Sequence, residues 1–244
     1  MMNSNRYILV YALVGVFGAL QVPASAQAQE WVARYNGPGN GYEEARDVAS
    51  DDSGNVYATG FSRGSGSSFD YATIKYDSGG KEQWVARYNG SGNGFDYASD
   101  LEVDASGNVY VTGRSAGSGS HFDYATIKYD SAGNEQWVAR YNGPFNWVDS
   151  ASALAVDILG NVYVTGYSYG SDGNADYATI KYDSAGNEQW VARWGQGNAL
   201  GEDAAALAVD TSGNVYVTGT IATFTNNLDY LTIKYDSAGN EQWV

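Results

Sequence analysis

The chain of 244 residues has no cysteine and only one histidine, His121. Without cysteine there can be no disulfide, no thiolate metal site, no cysteine nucleophile and no lipid anchor on cysteine. A single histidine also excludes a metal site built from several imidazoles. The fold must therefore be held by packing and hydrogen bonds.

Basic residues are scarce, with 13 Lys and Arg against 28 Asp and Glu and a net charge of −15. Nucleic-acid binding needs a basic surface, and anionic membranes repel such a protein. The acidity favours solubility, and a surface for cations or cationic ligands is the alternative. We expect no cofactor, with Ca²⁺ as the open alternative.

Proline is also rare (3), whereas glycine (31), tyrosine (21) and tryptophan (7) are abundant. Turns must then be built mostly from Gly, Asn, Asp and Ser, and the aromatic residues favour strands. With 17% charged and 43% hydrophobic residues, the composition predicts a globular β protein and argues against disorder.

Residues 1–28 have the pattern of a secretory signal peptide. Arg6 precedes an apolar run at 7–20, and small residues follow in PASAQAQ, where cleavage could come after Ala26 or Ala28. The run is shorter than the ~20 residues that span a membrane. The sequence predicts an exported protein, secreted, periplasmic or on the cell surface, with no membrane insertion after cleavage and a mature domain at 29–244.

The mature chain is a repeat of one unit. Equivalent tryptophans recur every 53 residues with no insertion or deletion, and the same step separates the tyrosines of GNVY and the lysines of TIKYD. The five tryptophans are Trp31, Trp84, Trp137, Trp190 and Trp243.

Each unit contains four strand-like runs, which in the third copy are ALAVD, VYVTGY, YATIKYD and EQWVARW. Two links are short, of the type D-x-x-G-N, and fit a type I turn closed by a left-handed glycine. The other two are longer and differ between copies. Four antiparallel strands per repeat predict an all-β propeller of four four-stranded, 53-residue repeats, with short turns on one face and variable loops on the other.

The phrases ALAVDxSGNVYVTG and DYATIKYDSAGNEQWVARYNG resemble the bacterial β-propeller repeat called SBBP, over all four copies. Their strand–turn–strand core is also similar to NHL-type repeats. The resemblance implies a propeller in an exported bacterial protein, often as a module of a larger surface protein, and no defined reaction. It also implies more blades than four.

The phrase QEWV at residues 29–32 returns as EQWV at 241–244. Both copies correspond to the outer strand of a blade, so the last outer strand is expected to be cut short. Three alternatives stay open: four blades close with one copy displaced, the chain belongs to a longer array, or arcs from two chains pair. The second is the leading expectation.

Three sets of repeated polar residues have structural interpretations. Asp104 and its equivalents are expected to cap the tight turns rather than bind calcium. Lys128 and Arg140 are expected to extend between blades or lie over aromatic rings. The hairpin pattern predicts Ile127 opposite Trp137 and Lys128 opposite Gln136, which places the lysine on the other side of the sheet from the tryptophan.

A fourth set lies just before the innermost strands and is predicted to project near the mouth of the central channel. Four carboxylates there could bind a cation or a basic or hydroxyl-rich ligand, whereas a solvated acidic rim is the simpler interpretation. The candidate ligand-binding residues are Glu43, Asp96, Asp149 and Glu202, with Phe145 and Trp147 as an aromatic platform for sugar stacking. Packing of these two rings under the loop is the favoured alternative.

Enzymatic chemistry would need an asymmetric site, and no Ser-His-Asp spacing or paired general acid and base surrounds His121. No catalytic residue is predicted. We expect a binding or scaffold module that uses its variable-loop face, with an extracellular glycan or protein as ligand. The alternatives are a polysaccharide-active hydrolase or lyase and a structural spacer, and an oligomer is expected if four blades do not close.

Overall fold

The computed structural model describes residues 30–66, 68–119, 121–196, 201–222 and 228–244. These residues form sixteen strands and no helix, so none of them belongs to a helix that could cross a membrane. The signal-peptide prediction falls on residues outside this part of the chain. Residues 31–244 form one compact unit.

The strands make four separate sheets, each of four antiparallel strands in sequence order. We number these sheets blades 1 to 4. Their four-stranded antiparallel arrangement confirms the predicted all-β propeller architecture. Blade 1 comprises β1 (Glu43–Ser50), β2 (Val56–Arg63), β3 (Phe69–Tyr76) and β4 (Glu82–Tyr88); blade 2, β5 (Asp96–Val103), β6 (Val109–Ala116), β7 (Phe122–Tyr129) and β8 (Glu135–Tyr141); blade 3, β9 (Asp149–Val156), β10 (Val162–Tyr169), β11 (Ala175–Tyr182) and β12 (Glu188–Trp194); blade 4, β13 (Gly201–Val209), β14 (Val215–Ala222), β15 (Leu228–Tyr235) and β16 (Glu241–Trp243).

The short links form the predicted turns. In the β5–β6 turn, the Gly107 N–H donates to the Asp104 carbonyl at 2.9 Å, and Gly107 has a φ of 79°. Such a positive φ is easy for glycine alone, which explains the fixed glycine of each D-x-x-G-N turn. The turns therefore share one face of the propeller, and the long links form the other, which we call the variable-loop face.

The predicted register of the third and fourth strands was wrong by one residue. Lys128 lies opposite Trp137, and Ile127 lies opposite Val138. The cause is a bulge beside the turn, where the pairing shifts between Lys128 and Tyr129. Lysine and tryptophan thus share one side of the sheet.

Blades pack in sequence order, with β1, β5, β9 and β13 as the innermost strands in contact with one another. The apolar core lies between blades. Between blades 2 and 3, for example, it contains Tyr124 from one blade and Val164 and Ile180 from the next. Each such side chain contributes about 1.5–3 kcal/mol on burial, so the interfaces between blades stabilise the fold.

The four blades form an open arc. Tyr71, Tyr124 and Tyr177 are each 0% exposed under the following blade, whereas the equivalent Tyr230 of blade 4 is 93% exposed. At the other end, Val48 of blade 1 is 65% exposed, whereas the equivalent Leu101 is 5% exposed. Closure of four blades within one chain, one of the three alternatives above, is therefore not what the structure shows.

Candidate functional site

The tight turns use their aspartates for structure. Asp104 Oδ1 accepts hydrogen bonds from the Ser106 and Asn108 N–H groups at 2.8 and 2.9 Å. Its Oδ2 accepts from Asn108 Nδ2 at 2.7 Å and from the Tyr110 hydroxyl at 3.1 Å. Both oxygens are occupied by donors of the same turn, which confirms the capping interpretation.

The repeated lysines and arginines have different roles. Lys128 Nζ lies 5.1 Å from the centre of the Tyr110 ring, which confirms the expectation of a lysine over an aromatic ring. Arg140 instead forms an ion pair with Asp123 at 2.8 Å and donates to Ser115 and to the Tyr88 hydroxyl. This clamp ties three strand ends together at the variable-loop face. Its bond to Tyr88 extends between blades as expected, whereas the ion pair with Asp123 was not predicted.

Three of the four predicted ring carboxylates are buried, so the expectation of a solvated or projecting rim is wrong for them. Asp96, Asp149 and Glu202 are 0%, 1% and 1% exposed. Each accepts a hydrogen bond from the backbone N–H six residues upstream, Asp96 from Gly90 at 3.0 Å and Asp149 from Gly143 at 2.7 Å. The carboxylates fold the variable loops back onto the inner strands.

The other two members follow the same pattern less completely. Glu202 accepts from the Gln196 N–H at 3.0 Å, and the half-buried Glu43 accepts from the Gly37 N–H at 3.2 Å. Burial raises the pKa of Glu202. Ligand binding by this ring stays a prediction, and any ligand would compete with these backbone donors.

Two further carboxylates, Asp47 and Asp100, lie on the inner strands of blades 1 and 2. The equivalent positions of blades 3 and 4 carry no carboxylate. Asp47 accepts from the Leu101 N–H at 3.0 Å, and Asp100 accepts from the Leu154 N–H at 2.7 Å, so each links neighbouring inner strands. Burial, together with a hydrogen bond to Asp47 and its negative charge, raises the pKa of Asp100 to about 7. This is the closest approach to a general acid among the described residues.

Aromatic residues at strand ends form a larger asymmetric feature that the sequence analysis missed. Phe95 stacks parallel to Tyr97, with ring centroids 6.0 Å apart. Tyr97 meets Phe61 edge-on at 4.8 Å, which joins blades 1 and 2. We call this group the blade 1–2 aromatic cluster; its members are Tyr42, Phe61, Phe69, Phe95, Tyr97 and Phe122.

Two rings of this cluster face solvent, Tyr42 at 59% and Phe95 at 46% exposure. Arg114 lies 4.8 Å from the ring centres of both Tyr97 and Phe122 and fixes the cluster from beside it. The available signal was the difference between copies, because residues 42 and 95 are aromatic where the third and fourth copies have Val148 and Gly201.

The predicted platform residues of blade 3 lie on the same face. Phe145 and Trp147 are 43% and 49% exposed. Trp147 packs against Tyr169 at 6.1 Å, and Tyr169 meets Tyr167 edge-on at 5.9 Å. Exposed rings in contact with neighbouring, less exposed rings therefore recur on blades 1, 2 and 3.

His121 is exposed at the start of β7, and its carbonyl accepts a hydrogen bond from the Gly117 N–H. In the described part of the chain, no group of three or more His, Asp or Glu residues is placed to hold a metal ion.

The β-propeller class is confirmed by comparison with known proteins. The family model described as a beta-propeller repeat, SBBP, matches residues 136–174. This segment thus matches an SBBP-type propeller repeat, in agreement with the resemblance drawn from its motifs. A search of curated protein sequences found no significant match.

Solved structures that resemble the chain include the propeller domain of a protease and several glycoside hydrolases. A Hadza microbial sialidase superposes with a TM-score of 0.55 and 11% identity, over 80% of this chain and 45% of that one. The propeller domain of the Trilobed protease from Pyrococcus furiosus, described as having an open velcro topology, gives 0.49 and 6%, over 83% and 58%.

A third similar structure is an exo-β-1,3-galactanase from Clostridium thermocellum, with a TM-score of 0.43 and 12% identity, over 80% of this chain and 47% of that one. The chain thus spans 45% to 58% of the length of these three structures. At 11% identity the superposition on the sialidase shows the fold and nothing about activity.

Proposed function

We propose that this protein is an exported binding module whose variable-loop face binds a neutral carbohydrate chain. One observation carries the proposal: four half-exposed aromatic side chains lie on that face, spread over three consecutive blades. They are Tyr42, Phe95, Phe145 and Trp147.

These aromatic rings are held in fixed positions, as stacking on sugars requires. The faces of pyranose rings carry C–H groups, which pack on flat aromatic surfaces. Phe95 is supported by Tyr97 beneath it, and Trp147 by Tyr169. Rings already held in position lose little conformational entropy on binding.

The differences between copies also favour a function on this face. The tight turns keep the same Asp and Gly in every blade, and an Asn follows the glycine in all of them except the β3–β4 turn, which has Lys81, as expected of structural positions. The residues at the mouths of the long loops differ, so duplication alone does not account for the aromatic rings. Loops on a rigid scaffold are the common location of binding residues.

Charge narrows the ligand class. The chain has a net charge of −15, which disfavours anionic polymers such as nucleic acids and acidic polysaccharides. A neutral, hydroxyl-rich chain meets no such repulsion. The extended row of rings suits a linear polymer better than a single sugar.

The test is affinity electrophoresis of the purified chain against a panel of neutral and acidic polysaccharides, followed by calorimetry on any that retards it. We expect retardation by a neutral polymer, and at least tenfold weaker binding for the variant F95A/W147A. Each lost ring contact is worth about 0.5–1.5 kcal/mol. The matched control is I158A/L159A, which removes exposed apolar side chains from the tight-turn face.

Two results would contradict the proposal. One is the absence of binding across the neutral polymers, which would favour a spacer or a protein ligand. The other is equal loss of affinity in F95A/W147A and in the control.

The Asp47–Asp100 pair supports a second candidate, a polysaccharide-cleaving enzyme. A carboxyl group that is protonated near neutral pH is what a general acid needs. Against it, both carboxylates already accept backbone hydrogen bonds. If the protein cleaves a bound polysaccharide, and D100N abolishes the cleavage while leaving binding unchanged, the protein is an enzyme rather than a binding module.

A further inference from the structure

The two ends of the arc carry matching halves of the interface that joins its blades. On blade 1, a groove of about 400 Å³ is lined by residues that face the preceding position in a propeller. They include Gly60, Ala72 and Ile74. On blade 4, the opposite side of the sheet is open, with Tyr230 projecting into solvent.

Within the arc, the tyrosine equivalent to Tyr230 fills this kind of groove. The Tyr71 hydroxyl donates to the Ala125 carbonyl at 3.2 Å, and Tyr124 donates to Ala178 at 3.1 Å. The same hydroxyl lies over a glycine of the next blade, Tyr71 over Gly113. The residues equivalent to Ala125 and Gly113 in blade 1 are Ala72 and Gly60, which line the empty groove.

Residues 31–35 already hold one quarter of a missing blade. Trp31 packs on Gly80 as Trp84 packs on Gly133; an added Cβ would lie 2.6 and 2.7 Å from the respective rings. Arg87 donates to the Tyr35 hydroxyl at 3.0 Å, as Arg140 does to Tyr88. This segment thus occupies the place of the outer strand of a preceding blade.

The inner three strands of that blade are what blade 4 of another copy offers. β15 pairs with β16 only at Lys234 and Tyr235, which leaves the rest of its outer edge unpaired. The register of β3 and β4, where Thr73 faces Ala86 and Tyr71 faces Tyr88, places Ala33 opposite Thr232 and Tyr35 opposite Tyr230.

Charges at the two ends also match. The ion pairs Arg87–Asp70, Arg140–Asp123 and Arg193–Asp176 recur at one repeat position. The residues at the same position on the free ends are Arg34 and Asp229, both exposed. An interface between copies would bring them together.

We propose that the open arc closes with a second copy of this chain, each copy inserting blade 4 into the groove on blade 1 of the other. Two arcs give eight blades, which is within the usual range of four to eight, and a third copy would exceed it. The contacts are heterologous but close after two copies. Trp31 and Trp243 compete for one position, so Trp243, 46% exposed, gives way.

The first test is light scattering of the purified chain after size-exclusion chromatography, over a range of concentrations. We expect a dimer mass for the unchanged protein and a monomer for Y230R, with at least a tenfold weaker association. The control, I158R, places the same charge on a side chain 99% exposed in a tight turn and should stay dimeric. A monomeric unchanged protein, an open polymer or a dimeric Y230R would overturn the proposal.

The second test uses the absence of native cysteine. The variant A33C/T232C places two thiols opposite each other across the proposed strand pair, within the 4.4–6.8 Å Cα separation that a disulfide needs. Oxidation should give a covalent dimer on a non-reducing gel. An internally cross-linked monomer would mean that one chain closes on itself, and no cross-link would mean that the ends do not meet; either result overturns the proposal.

Discussion

The two faces of the arc hold their carboxylates in opposite ways. On the tight-turn face, hydrogen bonds from Asn214, its side chain first, lower the pKa of Asp210 to about 2. At the variable-loop face, burial raises the pKa of Asp96 and Asp149 above the ordinary 3.8, although Ser115 and Ser168 donate to them. Hydrogen bonds stabilise the charged form of the carboxylate on the tight-turn face. At the variable-loop face, burial disfavours the charged form of the carboxylates.

The carboxylates of the tight-turn face thus add to the stability of the fold, whereas those of the variable-loop face are buried at a cost in free energy. Every turn repeats the same hydrogen bonds, because the geometry of a short hairpin accepts few residues. The variable-loop face instead buries carboxylates to anchor loops of different sequence, and it leaves aromatic rings half exposed. Features that lower stability locally are common where a protein binds something.

The largest effect is expected from R140A, which tests whether the variable-loop face has its own structural support. The change leaves Asp123, whose side chain is 7% exposed, without its arginine. We expect a loss of about 3 kcal/mol in the free energy of unfolding, since breaking a largely buried ion pair strands a charge. Urea titration measures it. R63A, at an exposed arginine on the same face, should cost less than about 0.5 kcal/mol.

The next effect concerns the tight turns. In blade 3, Asp157 accepts four hydrogen bonds, including those from Leu159 N–H at 2.9 Å and Asn161 Nδ2 at 2.7 Å. D157A should lower the free energy of unfolding by about 2 kcal/mol, with no change in polysaccharide affinity. D157N, which keeps one acceptor oxygen, should lose less. A loss of polysaccharide affinity in fully folded D157A would contradict the assignment of binding to the variable-loop face alone.

The pH dependence of stability should show both groups of carboxylates. Because the folded pKa of Asp100, about 7, exceeds its unfolded value, its contribution is complete below about pH 4 and is lost as pH rises through 7. Because the pKa of Asp210 is lowered to about 2, its contribution is present above pH 4 and is lost on acidification below it.

Stability should therefore peak near about pH 4 and decline as the pH rises toward 7. From pH 5 to pH 8 we expect the free energy of unfolding to fall by about 1–2 kcal/mol, allowing for the partial exposure of Asp100. Calorimetric melting across this range measures it. D100N should flatten the slope, and an unchanged slope in D100N would contradict the assignment to this residue.

The sequence predicted the parts of this structure that depend on local chemistry. The 53-residue period, the D-x-x-G-N turns and the alternating runs were sufficient for four four-stranded blades. The register beside the turns was wrong because the bulge at Lys128 and Tyr129 adds a residue that alternation alone does not reveal. An open arc was among the alternatives that the overlapping QEWV and EQWV phrases left open, because a repeat period does not define the angle between blades.

The candidate site was predicted only in part, for the same reason. Phe145 and Trp147 stood out as changes to the repeat, and they are exposed on the expected face. The burial of Asp96 and the contact of Phe61 with Tyr97 depend on how loops and neighbouring blades pack. Such contacts join residues that are far apart in sequence.

The variant F95A/W147A should have the smallest effect on stability and the largest effect on binding. Phe95 and Trp147 are 46% and 49% exposed, so F95A/W147A should lower the free energy of unfolding by only about 1–2 kcal/mol. Calorimetric affinity for a retained neutral polysaccharide, measured side by side for F95A/W147A and D157A, is the most direct test. We predict at least a tenfold loss of affinity for F95A/W147A and none for D157A. Equal affinities, or the reverse order, would contradict a binding function on the variable-loop face.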